Sequence, residues 1–329
     1  MDITVLGAGS FGTAISAHLA RLGNSVLMWT IDAEQSNAIN STRHNNFCFQ
    51  DTPLDKNIRC TIDIHEALDF SDHIIMAIPT QFEREVCVKI AAAHRDGAHM
   101  LNLAKGIEIS TGCLLHEIHK EVIPNYKYSV LSGPSFAAEV LVGRPTAVSI
   151  ASRCAGEACD WQAIVSGNNF RIYTSDDVIG LEVGGSTKNI YAVAAGICKA
   201  MDLGNNAQAA LTCRGLAEIM RFGQKMGASP LTLSGLAGVG DLVLTCNSIL
   251  SRNFRLGLAV GAGKSLDEAA KELGQVAEGA FTARAVVENS KKFNVDMPLA
   301  EGVYRILYEG HSPDKILQEL FARPLKAEI

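Results

Sequence analysis

The sequence predicts an α/β chain: a doubly wound, mostly parallel sheet over residues 1–178, then an all-helical C-terminal domain over residues 179–329. Three observations predict it. Apolar runs of strand length alternate with helical periods through the first half, the pattern of parallel βαβ units. A glycine-rich turn joins the first strand to the first helix. From about Asp176 onward the strand signals stop and helical periods dominate.

The first strand, Ile3-Thr4-Val5-Leu6, runs straight into Gly7-Ala8-Gly9-Ser10-Phe11-Gly12. Gly7 permits the tight turn, Gly9 lets the backbone come up against a pyrophosphate, and Gly12 lets the helix pack on the strand. A helix beginning near Ser10 would aim its free N–H groups and positive dipole end at those phosphates. That helix, Thr13 to Leu22, stops at Gly23-Asn24, and the second strand is Ser25 to Trp29. Asp32 lies 20 residues after Gly12, where an acid that binds ribose is expected. Glycines recur by chance, so the pattern alone is a weak signal. Its strand–helix–strand setting favours a Rossmann-type dinucleotide unit over a structural glycine turn.

A polar loop, Asn40 to Asn57, follows. Next come a strand at Ile58–Thr61, a helix at His65–Phe70, and the apolar strand His73–Ile78, ended by Pro79. A helix from Gln81 to Ala93 precedes the strand Ala98–Leu103, which leads into Ala104-Lys105-Gly106. Further strands are predicted at Tyr128–Leu131, Thr146–Ala151 and Phe170–Thr174. Ligands of such a sheet sit beyond the carboxyl ends of its strands. The second half reads as helices at 176–200, 206–227, 252–262, 266–273, 280–293, 298–309 and 313–321, with Ser265 and Ser312-Pro313 as start signals. No low-complexity linker divides the halves, so they are expected to share a firm interface, and no internal repeat is visible.

At 329 residues the chain can hold two domains and a substantial core. Hydrophobic residues at 47% and charged ones at 19% make an ordinary soluble globular mix. A net charge of −6 argues against a general nucleic-acid or membrane-surface binder, so any phosphate site must be a local cluster of cations. No stretch approaches the ~18 to 20 apolar residues of a membrane span. The N-terminus lacks the basic start of a signal peptide. Nine scattered cysteines without a C-x-x-C read as reduced thiols of a cytoplasmic protein, used as small core residues. His116 and His119 sit three apart in a predicted helix, with no carboxylate or thiol seen to complete a ligand set. They are read as surface histidines, and no metal site is expected.

Four segments could carry chemistry. Gly184-Gly185 precede Ser186-Thr187-Lys188 inside the long helix that opens the second half. Glycines there cost roughly 1 kcal/mol each relative to alanine, so another backbone or a ligand must come close. A lysine desolvated among Ile190, Tyr191 and Ala192–Ala195 would have its pKa lowered toward neutral proton transfer, whereas a snorkelling surface lysine is the bland alternative. Asp241, in Gly238-Val239-Gly240-Asp241-Leu242, is an acid among apolar residues and needs a cationic partner. Ser251 looks like an N-cap, which puts Arg252 and Asn253 in a first helical turn. An arginine there opposes the dipole unless an anion sits between them; a solvated surface arginine is the alternative. Finally, Ser132-Gly133-Pro134-Ser135 offers N–H groups and a hydroxyl after a strand, and Lys105 adds a cation on the same edge. An ordinary capped turn and a plain loop lysine are the alternatives.

Together these segments resemble the bacterial-type NAD(P)-dependent glycerol-3-phosphate dehydrogenases, over essentially the whole chain. The matching stretches are VLGAGSFGTA (5–14), AKGIE (104–108), SGPSFAAEV (132–140), EVGGSTKNIYAVAAGI (182–197), AALTCRGLAEI (209–219), GLAGVGDLVLTC (235–246), SRNFRLG (251–257) and VAEG (276–279). Their order and spacing are far more specific than a lone glycine motif. The resemblance implies that Lys188 exchanges a proton with the oxygen of dihydroxyacetone phosphate as hydride moves to or from the nicotinamide. It implies that Lys105 and Asp241 position substrate and lysine, and that Gly133, Ser135, Ser251, Arg252 and Asn253 contact substrate, the last two nearest its phosphate. Gly7, Gly9, Ser10, Phe11, Gly12, Lys105, Ala137, Arg252, Val276 and Glu278 match cofactor contacts. A cationic lysine can offset charge on the oxygen, so no metal is needed for the chemistry. The implied product is glycerol 3-phosphate for phospholipid synthesis.

One departure bears on the cofactor. Many bacterial relatives carry His or Arg after the second strand, facing the 2′-phosphate of NADP. Here the chain reads Trp29-Thr30-Ile31-Asp32. Ile31 cannot pair with a phosphate, and Asp32 would repel one, although Arg43 could reach in from the loop. NADH is therefore expected to serve at least as well as NADPH. The rival readings are a β-hydroxyacid or 6-phosphogluconate-type dehydrogenase and a non-catalytic dinucleotide sensor. The first usually carries an asparagine four residues after its lysine, where this chain has Ala192. The second has no need of Lys188, Asp241 and Arg252 together. The apolar helices of the second half leave room for a homodimer interface.

Overall fold

Eight strands form one sheet: β1 (Asp2–Leu6), β2 (Ser25–Trp29), β3 (Ile58–Thr61), β4 (His73–Met76), β5 (His99–Asn102), β6 (Lys127–Ser132), β7 (Thr146–Ser152) and β8 (Phe170–Ser175). Their order is β3-β2-β1-β4-β5-β6-β7-β8. All neighbours run parallel except β6 and β7, which are antiparallel. The order reverses at β1, where Leu6 registers with Trp29 on one side and Met76 on the other. A doubly wound sheet binds ligands outside the carboxyl ends at such a point. The computed structural model describes residues 1–93, 97–154, 156–274, 277–325, 327 and 328.

Both faces of the sheet are covered, which is why its central strands read as nearly continuous apolar runs. Ile3, Val5, Val26, Met28, Ile75 and Leu101 pack toward one face with Trp161. Leu6, Trp29, Ile74, Met76 and Met100 pack toward the other. A large aliphatic side chain fully buried in this way contributes ~1.5–3 kcal/mol.

The helices of the sheet half are α1 (Ser10–Arg21), α2 (Ala33–Thr42), α3 (Ile64–Phe70), α4 (Glu83–Ala92), α5 (Leu115–Val122), α6 (Ala137–Leu141) and α7 (Glu157–Val165). Two of these differ from the sequence reading. The polar loop expected from Asn40 begins later, because Asn40–Thr42 continue α2. That helix buries only Gln35, Ser36, Ala38 and Ile39, too thin an apolar stripe to stand out in sequence. Helix α7 was not predicted either, since its apolar residues are interrupted by Asp160 and Gln162.

The second half is helical: α8 (Val178–Ala200), α9 (Gly204–Met226), α10 (Pro230–Leu233), α11 (Asp241–Cys246), α12 (Arg252–Gly261), α13 (Leu266–Leu273), α14 (Glu278–Phe293), α15 (Pro298–Glu309) and α16 (Pro313–Phe321). Helix α8 is buried along nearly its whole length, as its apolar character on every side requires. It forms the axis of the domain. Gly196 and Gly257 let α8 and α12 cross closely, since a Cβ on Gly196 would lie 2.1 Å from the carbonyl oxygen of Phe254. No helix among the described residues is long and apolar enough to cross a membrane.

The halves meet through a buried carboxylate. Glu182 of α8 accepts the backbone N–H of His116 (2.9 Å) and the hydroxyl of Tyr128 (2.5 Å), and pairs with the His116 ring (2.6 Å). This corrects the reading of His116 and His119 as surface histidines. His116 is half-buried against Glu182, and His119 is 2% exposed, with Nε2 lying 2.8 Å from Glu83 Oε1. Their carboxylate partners come from other elements, 66 and 36 positions away, so no local spacing could reveal them.

Candidate active site

The glycine turn is built as its pattern implies. Gly7 has φ +115°, and a Cβ there would sit 2.4 Å from the carbonyl oxygen of Ala77. A Cβ on Gly12 would lie 2.0 Å from the carbonyl oxygen of Gly7. Gly9 is different: a Cβ there would meet no protein atom within 4 Å, so protein packing does not demand the glycine. Gly9 also caps α1 without any side-chain hydrogen bond. The N–H groups of that first turn, at exposed Ser10 and half-buried Phe11, therefore lack a side-chain acceptor. This arrangement fits a dinucleotide pyrophosphate.

The α8 glycines explain themselves the same way. A Cβ on Gly184 would lie 2.6 Å from the carbonyl oxygen of Ala237, in the π-helical stretch Leu236–Gly240. One on Gly185 would lie 2.5 Å from Ser132 Oγ and 3.5 Å from the Lys105 stem. The helix is thus drawn against the ends of β6 and of the loop after β5. One turn on from Gly184, Lys188 faces the same crevice.

Lys188 is 6% exposed and Asp241 is 1% exposed. The Lys188 ammonium donates to Oδ1 of Asp241 and to Thr245 Oγ1 (2.9 Å). The Thr245 hydroxyl donates in turn to the carbonyl oxygen of Asp241 (2.6 Å), so a lone pair faces the lysine. An ammonium has three N–H bonds, and here two are committed within the protein. Lys105 Nζ takes the other carboxylate oxygen, Oδ2 (2.7 Å), and also donates to the carbonyl oxygen of Gly133 (3.0 Å). Burial pulls the Lys188 ammonium down to about 8; the Asp241 carboxylate opposes the fall and the Lys105 charge adds to it. Two cations on one carboxylate leave a local excess of positive charge in a chain of net charge −6.

Gly133 has φ +141°, and Ser135 Oγ donates to its carbonyl oxygen (3.0 Å). Ser251 caps α12 by accepting the Phe254 N–H (3.1 Å). Arg252 is exposed in the first turn, with Glu278 as the opposite charge that acts on it. Asn253 is turned inward instead: it donates to Asn189 Oδ1 (2.9 Å) and accepts the N–H of Gly279 (2.8 Å), tying α8, α12 and α14 together. Burial pushes the Glu278 carboxyl up to about 7, against a hydrogen bond from the Thr80 backbone. Ala137 begins α6 and packs partly against the sheet core. Val276 lies outside the described residues. Asp32 caps α2 by accepting the Gln35 N–H (2.9 Å), and Ile31 beside it is 82% exposed. Arg43 does not reach toward this end of β2; its guanidinium donates to the carbonyl oxygen of Ile58 (2.6 Å).

The structure therefore brings Lys105, Gly133, Lys188 and Asp241 into one hydrogen-bonded cluster. Thr245 joins it, a member that the sequence reading missed. Its signal was present: it stands four residues after Asp241, one helical turn along the same face.

Comparison with known proteins agrees with this geometry. A family model described as NAD-dependent glycerol-3-phosphate dehydrogenase N-terminus matches residues 2–158, and its C-terminal counterpart matches residues 177–318. The chain belongs to the NAD-dependent glycerol-3-phosphate dehydrogenase family. Within it, the chain is similar to a glycerol-3-phosphate dehydrogenase (NAD(P)+) of Thermoanaerobacter sp., at 44% identity over 100% of this chain and 99% of that one. A protein of the same name from Thioalkalivibrio sulfidiphilus is 45% identical over 99% and 98% of the two chains. The crystal structure of glycerol-3-phosphate dehydrogenase from Coxiella burnetii superposes with a TM-score of 0.95, at 37% identity over 98% and 99% of the chains. The match spans the sheet, α8 and the helices that follow, so it covers every element that supplies the lysine and carboxylate cluster.

Proposed function

We propose that the chain interconverts dihydroxyacetone phosphate and sn-glycerol 3-phosphate with NAD(P)H, and so supplies glycerol 3-phosphate for phospholipid synthesis. The observation that carries this reading is Lys188: buried, depressed to about 8, held by Asp241 and Thr245, with one N–H left for a substrate oxygen. In reduction, Lys188 gives its proton to the carbonyl oxygen; in oxidation, the neutral amine takes the hydroxyl proton. Asp241 and Thr245 orient the amine, and Lys105 adds positive charge where the oxygen becomes negative. Arg252 holds the phosphate at the start of α12, with Ser251 and Asn253 shaping that turn and Gly133 and Ser135 lining the substrate side.

A nicotinamide dinucleotide bound at the β1–α1 turn supplies or accepts the hydride. Gly7, Gly9, Ser10, Phe11 and Gly12 would hold its pyrophosphate, with Lys105, Ala137, Arg252, Val276 and Glu278 along the rest. Asp32 and Ile31 favour a 2′-hydroxyl over a 2′-phosphate, so NADH serves at least as well as NADPH. We place the domain boundary at 178/179, in the first turn of α8. The nine free cysteines suit a cytoplasmic setting, and exposed Leu231, Ile249 and Leu250 suit a homodimer. Oxidation of NADH or NADPH that requires dihydroxyacetone phosphate, and fails with unphosphorylated dihydroxyacetone, tests the reading. Cofactor binding without such oxidation would overturn it.

A further inference from the structure

The carbonyl oxygen of Ala8, in the middle of the glycine turn, is held by two buried amides. Gln35 of α2 donates to it from Nε2 (2.8 Å), and Asn45, in the loop before β3, donates from Nδ2 (2.9 Å). The Thr13 hydroxyl lies farther off, at 3.3 Å. Gln35 is 6% exposed and Asn45 is 0% exposed.

The amides are oriented by their other partners. The Thr30 hydroxyl donates to Gln35 Oε1 (2.6 Å), which makes that side the acceptor and Nε2 the donor. The second Nε2 hydrogen goes to Asn45 Oδ1 (3.1 Å), and the second Nδ2 hydrogen to Thr13 Oγ1 (2.8 Å). Asn45 Oδ1 also accepts the N–H of Phe47 (3.1 Å). Every amide hydrogen of the pair is used, and one from each goes to the same carbonyl. A fully satisfied polar network in a dry site fixes one geometry.

That geometry matters because a peptide group is planar and trans. The Ala8 carbonyl and the Gly9 N–H therefore point in opposite directions. The carbonyl faces the amides, so the N–H faces away from them, and it has no hydrogen-bond partner among the described residues. Rotating this peptide by a half turn would exchange the two groups. The residue that follows is a glycine, which tolerates the positive φ that such a rotation brings, so sterics alone do not forbid it. The flipped turn would present a carbonyl oxygen to an anion where the native turn presents a donor.

We propose that Gln35 and Asn45 are positioning residues for the dinucleotide: they lock the Ala8–Gly9 peptide so that its N–H, and not its carbonyl, meets the pyrophosphate. This rests on the reading that the β1–α1 turn takes the pyrophosphate. The lock acts on the part that NADH and NADPH share, whereas Ile31 and Asp32 bear on the part by which they differ. Without it, only the fraction of molecules in the native turn is competent, and apparent affinity falls by that fraction.

The test is binding, read on folded protein by fluorescence titration of NADH and NADPH. Competition by ADP-ribose, which keeps the pyrophosphate and lacks the nicotinamide, completes it. Gln35→Met removes one amide and keeps the length of the side chain; Asn45→Ala removes the other, from a different element. Each is expected to weaken all three ligands about 3- to 10-fold, the range for one lost hydrogen bond. At saturating NADH, kcat and KM for dihydroxyacetone phosphate should hold. A merely structural role would lower the melting temperature and leave the dissociation constants alone, and that result in either folded variant overturns the lock. A loss confined to NADPH, or to the coenzymes without ADP-ribose, overturns it as well. Should Asn45→Ala fail to fold, Gln35→Met decides alone. A wild-type chain that binds none of the three ligands would overturn the cofactor reading itself, and the lock with it.

Discussion

The Lys188 ammonium rests on Oδ1 of Asp241, a carboxylate 53 positions further along the chain and almost wholly buried. The contact joins α8 to the helix that follows the π-helical stretch. It places a proton donor of lowered pKa at the meeting point of the two halves. Removing one partner of such a pair leaves the other as an uncompensated buried charge.

Lys188→Ala is expected to lose turnover by roughly 10²- to 10⁴-fold, the usual contribution of a positioned acid–base group. Cofactor affinity should hold, because no atom of the glycine turn is touched. Steady-state kinetics beside a fluorescence titration of NADH measures both. Near-normal turnover would refute the assigned role.

Lys188 also sets a pH dependence with opposite signs in the two directions. Its pKa is pulled from 10.5 to about 8. Reduction needs the ammonium, so kcat/KM for dihydroxyacetone phosphate should fall as pH rises through about 8. Oxidation needs the amine, so kcat/KM for glycerol 3-phosphate should rise through the same range. Profiles measured in both directions check this, and parallel profiles would contradict it.

Arg252→Ala should raise KM for dihydroxyacetone phosphate roughly 10- to 100-fold, from ~1.5–3 kcal/mol for a hydrogen bond to a charged group. At saturating cofactor, which removes the effect of Arg252 on the dinucleotide, the residual rate with unphosphorylated dihydroxyacetone should not change. An equal loss with both substrates would mean that Arg252 does not read the phosphate.

Asp32 does two things that one substitution can separate. It caps α2 through the Gln35 N–H, and in the proposed cofactor reading its charge would oppose a 2′-phosphate. Asp32→Ser keeps a capping oxygen and removes the charge. NADPH binding should tighten more than NADH binding changes, as followed by fluorescence titration. Unchanged affinity for both would remove Asp32 from the specificity argument.

Glu218 offers a test of stability away from the crevice. It accepts the N–H groups of Leu299 (2.8 Å) and Ala300 (3.1 Å) at the start of α15 and the hydroxyl of Tyr191 (3.1 Å). Burial raises its carboxyl from 4.5 to about 7. The folded state thus holds this proton more tightly than the unfolded chain does. The resulting stability is full below about 4.5 and is lost as pH rises through about 7. Urea unfolding of Glu218→Gln should show a flatter pH dependence there, and Glu218→Ala should cost about 3 kcal/mol or more by orphaning buried donors.

Much of this was legible in the sequence, for physical reasons that differ between elements. Strands β1, β2 and β4 are buried on both faces, so their runs are apolar apart from their first residues and Thr4 of β1. Helices α13, α15 and α16 carry strong start signals and were bounded as observed, at 266–273, 298–309 and 313–321. Lys188 and Asp241 announced themselves as charges in apolar stretches, and the double glycine at 184–185 as a close approach. What stayed hidden depends on tertiary neighbours. Helix α2 has too few apolar residues, and α11 follows a π-helical stretch that no period describes. Thr245, Glu182 and His119 matter through partners from other elements, which a linear reading cannot pair.

The most direct measurement is the oxidation of NADH and NADPH with dihydroxyacetone phosphate, run beside unphosphorylated dihydroxyacetone. The account predicts rapid oxidation that depends on the phosphate, with NADH at least as effective as NADPH. Binding of either cofactor without oxidation would contradict it.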